Sequence, residues 1–342
     1  MTDTGGSGCA LTSNQLLILD AAQTRARLPF ERLIPALREA FVDGATVPLR
    51  HRHDLPQADG TVASLLLMPA WREGGLLGVK LVSVFPGNGA RGLPAVSSSY
   101  LLCDGGTGRH LALIDGTEIT GRRTAAASAL AASFLARADA TVLLVVGAGH
   151  IAGLIPAAYA VVRPIRHVLV WNVRTAGAER LAARLRTSGF TAEPVSDLAD
   201  AVRRADIVSC ATLARVPLIL GEWLHPGVHL DLIGSFTPAM READDTAVRR
   251  ARVFIDTDAA LAEAGDLVAP LASGALRRAD IAGDLAQLCR REVPGRRAVG
   301  DMTLFKSVGS ALEDLAAAAL ACRDIAVGHS GSLASLPGNS AH

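Results

Sequence analysis

The sequence has 342 residues, of which 50% are hydrophobic and 20% are charged. This length allows two domains of ordinary size, each with its own core. Its 34 Lys and Arg residues balance 33 Asp and Glu residues, so the chain lacks the strong field that draws proteins to nucleic acid or anionic membranes. Its longest apolar stretches fall well short of the roughly 20 residues that a membrane span needs. We therefore expect a protein that binds neither nucleic acid nor membrane.

The N-terminal segment and the cysteines predict the compartment. Residues 1–15 are small and polar, and they lack the basic and apolar regions of an export signal. Five cysteines are widely scattered, and no two form a C-x-x-C pair. These features predict a reduced protein of the cytoplasm, without a disulfide framework or a zinc site. His51 and His53 form a close pair, but because no third ligand stands near them in sequence we predict no metal site.

Residues 28–114 predict one helix followed by several strands. Leu33, Ile34, Leu37 and Phe41 recur at helical spacing, which predicts an amphipathic helix over Leu28–Val42. After Val47, short β-type runs are separated by Gly, Pro, Asn and Asp clusters, which is typical of a mostly antiparallel sheet. The predicted strands are Val62–Met68, Leu76–Phe85, Ser97–Leu102 and His110–Ile114.

From Thr124 onwards, helical segments alternate with apolar strands. An alanine-rich helix is predicted over Thr124–Arg137 and a buried strand over Thr141–Val146. This alternation predicts a doubly wound parallel sheet. The last predicted helix, Ser310–Val327, has no strand after it, so we expect it to pack back on the first region. The other predicted segments are helices at Ile151–Val162, Ala176–Thr187 and Leu198–Arg204, and strands at His167–Trp171, Asp206–Thr212, His229–Ile233 and Arg252–Asp256.

A glycine motif follows the first strand of this alternating region. The segment Gly147-Ala148-Gly149-His150-Ile151-Ala152 matches G-x-G-x-x-A between a strand and a helix. Such a turn lets a pyrophosphate approach the backbone, where unpaired N–H groups and the positive end of the helix dipole hold it. The motif therefore predicts a dinucleotide site, with a glycine turn in a nucleotide-free α/β protein as the alternative.

The end of the next strand predicts which dinucleotide binds. An NAD site usually has an acidic residue there to accept hydrogen bonds from the ribose 2′-hydroxyl. This sequence instead reads Trp171-Asn172-Val173-Arg174-Thr175, with no carboxylate. Asn172 and Thr175 can bond a phosphate and Arg174 can neutralise it, so we predict NADP(H) rather than NAD(H). The alternative is that Arg174 is a solvated residue of the first helical turn.

Two groups of cations point to an acidic ligand. Lys80 lies in an almost uninterrupted apolar strand without an acid at neighbouring positions, so a ligand carboxylate is the expected partner. The alternative is an edge strand that leaves the ammonium in water. Arg122 and Arg123 stand at the predicted start of the alanine-rich helix, where the dipole disfavours cations unless an anion completes the site.

Several motifs in this order resemble the ornithine cyclodeaminase/μ-crystallin family. The resemblance covers about residues 15–327, nearly the whole chain. It is carried by Leu113-Ile114-Asp115-Gly116, Thr120-Gly121-Arg122-Arg123-Thr124-Ala125-Ala126, the glycine turn, Trp171-Asn172-Val173-Arg174-Thr175, Phe305-Lys306-Ser307-Val308-Gly309 and Glu313-Asp314.

The resemblance implies a homodimer of two-domain subunits. Residues 1–123 and 306–342 would form an α+β substrate-binding and dimerisation domain, and residues 124–305 would form an NADP-binding Rossmann domain. Arg50, Lys80 and Arg123 would clasp the substrate carboxylate, with Lys80 and Arg123 also catalytic. The implied cofactor contacts are Gly147, Gly149, His150, Ile151, Asn172, Arg174, Thr175, Thr212, Leu213 and Lys306.

Two departures separate this sequence from the cyclodeaminases of that family. Phe236 stands where they carry a catalytic aspartate, and Asn172 stands where they tend to carry an acid. A phenyl ring cannot transfer a proton. The sequence is more similar to the reductase branch, which implies NADPH-dependent reduction of a cyclic imine carboxylate, Δ1-pyrroline-2-carboxylate or Δ1-piperideine-2-carboxylate, to L-proline or L-pipecolate. Lys80 or an ordered water would supply the proton.

Two other functions remain open. One is a lyase of the same family, either a cis-3-hydroxy-L-proline dehydratase or an ornithine cyclodeaminase. The other is a non-catalytic protein that binds a small ligand, as μ-crystallin binds a hormone. Lys80 and Arg123 argue against binding alone, because a hormone store does not need a clamp for a small acid.

Overall fold

The computed structural model of the chain describes residues 16–323 and arranges them in two β-sheets with helices packed against both. The strands are β1 (Leu17–Leu19), β2 (His51–Pro56), β3 (Val62–Trp71), β4 (Leu76–Val84), β5 (Val96–Asp104), β6 (His110–Asp115), β7 (Val142–Val146), β8 (His167–Trp171), β9 (Thr191–Pro194), β10 (Ile207–Cys210), β11 (His229–Leu232), β12 (Arg252–Ile255), β13 (Ile281–Asp284) and β14 (Thr303–Lys306). The helices are α1 (Ala21–Arg27), α2 (Phe30–Asp43), α3 (Gly116–Leu135), α4 (Ile155–Val162), α5 (Thr175–Thr187), α6 (Leu198–Arg204), α7 (Asp245–Arg250), α8 (Ala260–Glu263), α9 (Gly265–Ser273), α10 (Leu285–Arg290) and α11 (Ala311–Ala321).

The six-stranded sheet has the spatial order β1-β6-β5-β4-β3-β2. Strand β1 runs parallel to β6, and the other neighbours are antiparallel. Side chains alternate between the faces of a strand, so in β4 Gly78, Lys80 and Val82 point to the core while Leu81 points outward. The predicted mostly antiparallel sheet is confirmed, and β1 and β2 are additional strands that the sequence did not reveal.

The eight-stranded sheet is parallel throughout, in the order β13-β12-β14-β11-β10-β7-β8-β9. Its chain order reverses between β7 and β10, which creates a crevice at the carboxyl ends of the strands. The predicted doubly wound sheet is confirmed. Strands β9, β13 and β14 were not predicted, although β10, β11 and β12 are equally short and were. Strands β9 and β13 lack an apolar run, because they contain Pro194 and Gly283.

Helix α3 begins at Gly116, whereas the sequence predicted a start at Thr124. The side chain of Asp115 caps the helix by accepting a hydrogen bond from the Glu118 N–H at 2.7 Å. Arg122 and Arg123 consequently lie in the second helical turn, beyond the reach of the first-turn dipole effect. The dipole argument for an anion at these arginines is therefore wrong.

Helices α3 and α11 both pack against the six-stranded sheet, and α3 also contacts the eight-stranded one. Helix α11 packs against α2, β3 and β4, as the sequence predicted for the last helix. Helix α3 contacts β5 of the smaller sheet and β14 of the larger one, and it spans the proposed domain boundary at residue 123. The division into residues 1–123 with 306–342 and residues 124–305 stays a prediction. No helix between residues 16 and 323 is long and apolar enough to cross a bilayer.

Candidate active site

The glycine turn lies at the crevice of the eight-stranded sheet. Gly147 follows β7, has a φ of +113° and donates its N–H to the Trp171 carbonyl at 2.8 Å. A Cβ at Gly147 would lie 2.6 Å from the carbonyl oxygen of Ala211, which follows β10. Glycine is therefore required both by the backbone conformation and by the close approach of β10. The glycine turn therefore lies between the ends of β7 and β10, where the order of the strands reverses.

The surface of this turn fits a dinucleotide phosphate. Apart from Gly149 and its two chain neighbours, no described residue has an atom within 4 Å of the position that a Cβ on Gly149 would take, so a ligand can approach the backbone there. Within residues 16–323, the N–H groups of Gly149, His150 and Ile151 donate no hydrogen bond to the protein. Unpaired N–H groups ahead of a helix are suitable donors to a pyrophosphate. The alternative of a nucleotide-free turn is thus disfavoured by the geometry.

The residues predicted to read the ribose phosphate follow β8. Arg174 and Thr175 are exposed, and the Asn172 side-chain amide donates to the Arg174 carbonyl at 2.9 Å. This hydrogen bond fixes the bend that presents Arg174 to solvent. The loop from Asn172 to Thr175 contributes no carboxylate that would repel a phosphate.

The remaining predicted cofactor contacts lie at the ends of β10 and β14. The hydroxyl and N–H of Thr212 both donate to a Glu242 carboxylate oxygen at 2.8 Å, while Leu213 is exposed. Lys306 is buried, donates to the Leu232 carbonyl at 2.8 Å and lies 3.9 Å from Asp266. The sheet thus brings all the predicted cofactor residues to its carboxyl edge. Their assignment to the cofactor stays a prediction.

Lys80 and Arg123 meet in a buried ionic cluster. Lys80 Nζ lies 2.7 Å from Asp314 Oδ2, and Arg123 Nε donates to Asp314 Oδ1 at 3.0 Å. Arg123 Nη1 also donates to Glu313 at 2.8 Å. The expectation that Lys80 has no acidic protein partner is wrong, because helix α11 brings two carboxylates from the distant end of the chain. The alternative of an ammonium in water is also wrong, since the Lys80 side chain is 3% exposed.

The electrostatics of the cluster follow from burial and pairing. Burial lowers the pKa of the Lys80 ammonium, and Asp314 acts against this shift. Burial raises the pKa of Glu313 to about 7, although Arg123 opposes it. Burial also acts to raise the pKa of Asp314, but Lys80 and Arg123 outweigh it and hold that pKa below its ordinary value. Asp314 is therefore the permanent anion of the cluster, and Glu313 titrates near neutral pH.

The backbone after β14 completes the cluster. A Cβ at Gly309 would lie 2.3 Å from Arg123 Nη1, so only glycine lets the guanidinium lie against this segment. Asp256, which follows β12, accepts hydrogen bonds from the N–H groups of Val308 and Gly309 at 2.7 and 2.6 Å. His150 of the glycine turn lies against Gly121, two residues before Arg123 in α3. The glycine turn and the ionic cluster are consequently neighbours along one helix.

Arg50 belongs to a second ion pair at the junction of the two sheets. Its guanidinium lies 3.1 Å from Glu263 Oε2 of α8, and both side chains are about one-third exposed. Arg122, in contrast, donates to the Leu28 carbonyl and stacks on the Phe30 ring at 4.2 Å. Arg122 therefore has a structural role. Within the part of the chain that the structure describes, no three His, Cys, Asp or Glu side chains cluster as a metal site would require.

The scarcity of lysine is a signal that the sequence reasoning missed. Of the 34 Lys and Arg residues, only Lys80 and Lys306 are lysines. Both are almost fully buried beside carboxylates, whereas most arginines lie at the surface. Lysine differs from arginine because its pKa shifts readily in a buried site and it can release a proton. Lys80 and Lys306 are thus set apart from the other basic residues of the chain by residue type and by burial.

Comparison with known proteins extends these observations. The family model described as the ornithine cyclodeaminase/mu-crystallin family matches residues 15–328. A Δ1-pyrroline-2-carboxylate reductase from Paracoccus denitrificans is 42% identical over 291 residues, which cover 82% of this chain and 92% of the relative.

Two solved structures share the fold. One is Δ1-pyrroline-2-carboxylate reductase from Thermococcus litoralis in complex with NADH and L-proline, with 33% identity and a TM-score of 0.84 over 92% of this chain and 98% of that one. The other is an archaeal alanine dehydrogenase dimer with bound NAD, with 27% identity and a TM-score of 0.83 over 93% of this chain and 98% of that one. The family predicted from the motifs is thus confirmed: the chain belongs to the ornithine cyclodeaminase/mu-crystallin family.

Proposed function

We propose that this protein is an NADPH-dependent oxidoreductase that reduces a cyclic imine carboxylate, Δ1-pyrroline-2-carboxylate or Δ1-piperideine-2-carboxylate, to L-proline or L-pipecolate. The observation that carries the proposal is the pair of buried cations, Lys80 and Arg123, beside a turn that fits a dinucleotide phosphate. Similarity to a reductase of this substrate class and to a structure holding NADH and L-proline supports it.

The chain's own residues would bind and orient the substrate. Arg50, Lys80 and Arg123 carry the positive charges that a substrate carboxylate needs, and fixing it at two or three points sets which face of the C=N bond meets the cofactor. The bound nicotinamide supplies the hydride that adds to the imine carbon. The nitrogen gains one proton in the same reduction, and Lys80 or a water held beside it donates that proton.

Arg174 supports NADPH as the preferred reductant. It is exposed after β8, where a 2′-phosphate would lie, and Asn172 holds the loop that presents it. An arginine pairs bidentately with a phosphate, whereas nothing between Asn172 and Thr175 offers a carboxylate to a free 2′-hydroxyl. The cofactors in the two solved structures described above are NADH and NAD, so slower use of NADH is compatible with the proposal.

The loop after β11 argues against a lyase. Phe236 is 48% exposed at the position of the cyclodeaminase aspartate, and it has no group that can move a proton. Three buried acids in this part of the fold are already engaged. Asp231 accepts hydrogen bonds from three hydroxyl groups, Glu242 accepts from Thr212 and Gly234, and Asp266 accepts from the N–H groups of Glu242 and Ala243. These contacts leave a reduction as the chemistry that the residues support best.

We also propose a homodimer that acts in the cytoplasm. The outer face of the six-stranded sheet carries a continuous apolar row, in which Ile18 pairs with Leu113, Leu113 with Leu101, and Leu101 with Val79. An apolar sheet face of this kind is suited to an interface with a second copy. Cys103, Cys210, Cys289 and Cys322 are free and buried, which agrees with a reducing compartment.

The decisive assay follows the absorbance of reduced nicotinamide with purified protein. Δ1-Pyrroline-2-carboxylate and Δ1-piperideine-2-carboxylate are each tested with NADPH and NADH, and L-ornithine and cis-3-hydroxy-L-proline are tested in parallel. We expect rapid NADPH oxidation with an imine and slower oxidation with NADH. Lys80→Met should abolish it, while Leu81→Met, on the outer face of the same strand, should not. Product from ornithine or hydroxyproline without imine reduction would overturn the proposal in favour of a lyase.

A further inference from the structure

Asp314 is the one carboxylate that bonds both cations of the buried cluster. One of its oxygens lies 2.7 Å from Lys80 Nζ, and the other accepts from Arg123 Nε at 3.0 Å. Its side chain is fully buried, as is that of Glu313, which bonds Arg123 alone. Asp314 therefore fixes the distance between the two cations that the substrate carboxylate would meet.

The fold delivers Asp314 to this position from the opposite end of the chain. Helix α11 starts after Ser310, whose side chain accepts a hydrogen bond from the Leu312 N–H, and Asp314 lies in its first turn. Helix α11 packs on β3 and β4, and this packing directs the Asp314 carboxylate to Lys80 in the centre of β4. Four charged side chains buried together at a helix end cost free energy that hydrophobic residues of similar size would not. Such an arrangement calls for a role other than stability.

Charge balance indicates what that role is. A lysine buried without an anion loses its proton, because desolvation disfavours the ammonium. The charged or titratable groups around Lys80 and Asp314 are Arg123, Glu313, Asp256, Tyr100 and, behind Tyr100, Cys103. Among them, Arg123 also disfavours the ammonium, Glu313 lies against Arg123, and Asp256 is held by backbone N–H groups. Asp314 is the anion in direct contact with Lys80.

We propose that Asp314 is a positioning residue for the imine reduction: it keeps Lys80 protonated and holds the ammonium beside Arg123, facing the substrate. The inference rests on the proposed function, since it assigns Asp314 a part in that reaction. It predicts that neutralising Asp314 lowers the pKa of Lys80 by about 1 to 3 units, the range for an opposite charge at this separation.

The scarcity of lysine allows a direct test on the full-length protein. Labelling with ¹³C,¹⁵N-lysine gives only two side-chain signals, from Lys80 and Lys306, and Lys80→Met identifies the first. The pKa of Lys80 is then read from its Cε shift between pH 6 and 11 in the wild type, in Asp314→Asn and in Asp314→Glu. We expect a lower pKa in Asp314→Asn and a value near the wild type in Asp314→Glu, which retains the charge.

Kinetics supply the second readout. With Δ1-pyrroline-2-carboxylate and NADPH, the rate deficit of Asp314→Asn should widen as pH rises, because its Lys80 loses the proton at a lower pH. Asp206→Asn is the matched structural control. Asp206 pairs with Arg137 at 2.8 Å and accepts hydrogen bonds from two backbone N–H groups at the amino end of β7, away from the ionic cluster. This control should lower stability without moving the pKa of Lys80 or the pH profile.

The outcomes separate the two proposals. An unchanged Lys80 pKa in Asp314→Asn, or a rate deficit that is equal at every pH, would overturn the role of Asp314. If Asp314→Asn does not fold, Asp314→Glu carries the test: a wild-type Lys80 pKa with a reduced kcat supports positioning, and a wild-type kcat contradicts it. Absence of imine reduction by the wild type would refute the proposed function, whereas the lysine pKa would still be measured.

Discussion

At the scale of single residues, the proposed preference for NADPH rests on Arg174. Replacing Arg174 with Ala removes a charge-assisted contact to a 2′-phosphate, which is worth about 1.5–3 kcal/mol. We expect the KM for NADPH to rise roughly 10- to 150-fold while the KM for NADH changes little. Arg180→Ala, an exposed arginine farther along α5, is the matched control. An equal rise in the KM for NADPH and the KM for NADH would show that Arg174 does not bind the 2′-phosphate.

Arg50 makes a second residue-scale prediction possible. Its ion pair with Glu263 spans the two sheets at 3.1 Å, so a substrate carboxylate that binds Arg50 must compete with Glu263. Partly exposed pairs of this kind contribute about 0.2–1 kcal/mol. We expect Glu263→Gln to lower the substrate KM by roughly 1.5- to 5-fold with an unchanged kcat. Glu222→Gln, an exposed glutamate, serves as the control, and a raised KM in Glu263→Gln would contradict the competition.

At the scale of elements, β11 carries a buried acid that links stability to pH. Asp231 is fully buried and accepts hydrogen bonds from Ser128, Tyr159 and Ser209 at 3.0, 2.9 and 2.6 Å. Burial raises its pKa to about 6, although these hydroxyl donors act against the shift. An aspartate in an unfolded chain titrates near pH 3.9. Between about pH 4 and 6 the folded state thus binds more protons, and this group makes the free energy of unfolding fall as pH rises.

Asp231→Asn should remove that contribution, since an amide does not titrate. A difference of about two pKa units between the folded and unfolded states corresponds to about 3 kcal/mol. The free energy of unfolding of Asp231→Asn, relative to that of the wild type, should therefore rise by about this amount between pH 4 and pH 7. Urea denaturation at several pH values measures the difference. The exposed Asp258→Asn should give a curve parallel to the wild type. If Asp231→Asn also runs parallel, the buried carboxylate does not titrate in this range.

The sequence predicted elements well where local patterning determines them. The strands around the glycine turn and helix α5 follow from apolar runs and helical spacing, and they lie within a few residues of their predicted bounds. Helix α3 begins earlier than the alanine-rich stretch predicts, because the Asp115 side chain caps it at Gly116. Strands β9 and β13 gave no such signal, because Pro194 and Gly283 stand where an apolar run would be needed.

The candidate site was only partly accessible to the same reasoning. Lys80 and the glycine turn stand out locally, because a cation in an apolar strand and a glycine motif after a strand are both unusual. The partnership of Lys80 with Asp314 joins residues far apart in sequence, and it depends on how α11 packs against β4. No local pattern encodes that contact.

At the scale of the whole molecule, the apolar outer face of the six-stranded sheet predicts the oligomeric state. Leu81 is 42% exposed at the centre of this face and pairs with Leu67 of β3. A charge there would be buried without a partner in a dimer, which costs several kcal/mol. We expect sedimentation to show a dimer for the wild type and a monomer for Leu81→Asp. Val299→Asp, at an exposed position in the loop before β14, should remain a dimer, and a monomeric wild type would refute the interface.

The central claim is hydride transfer from a nicotinamide to the carbon of a cyclic imine that bears the carboxylate. The most direct test uses NADPH carrying deuterium at the transferable position, with Δ1-pyrroline-2-carboxylate as substrate. Chiral chromatography and mass spectrometry then locate the label. We predict L-proline with one deuterium at Cα and a matching loss of NADPH. Proline without the label, or no proline at all, would contradict the claim.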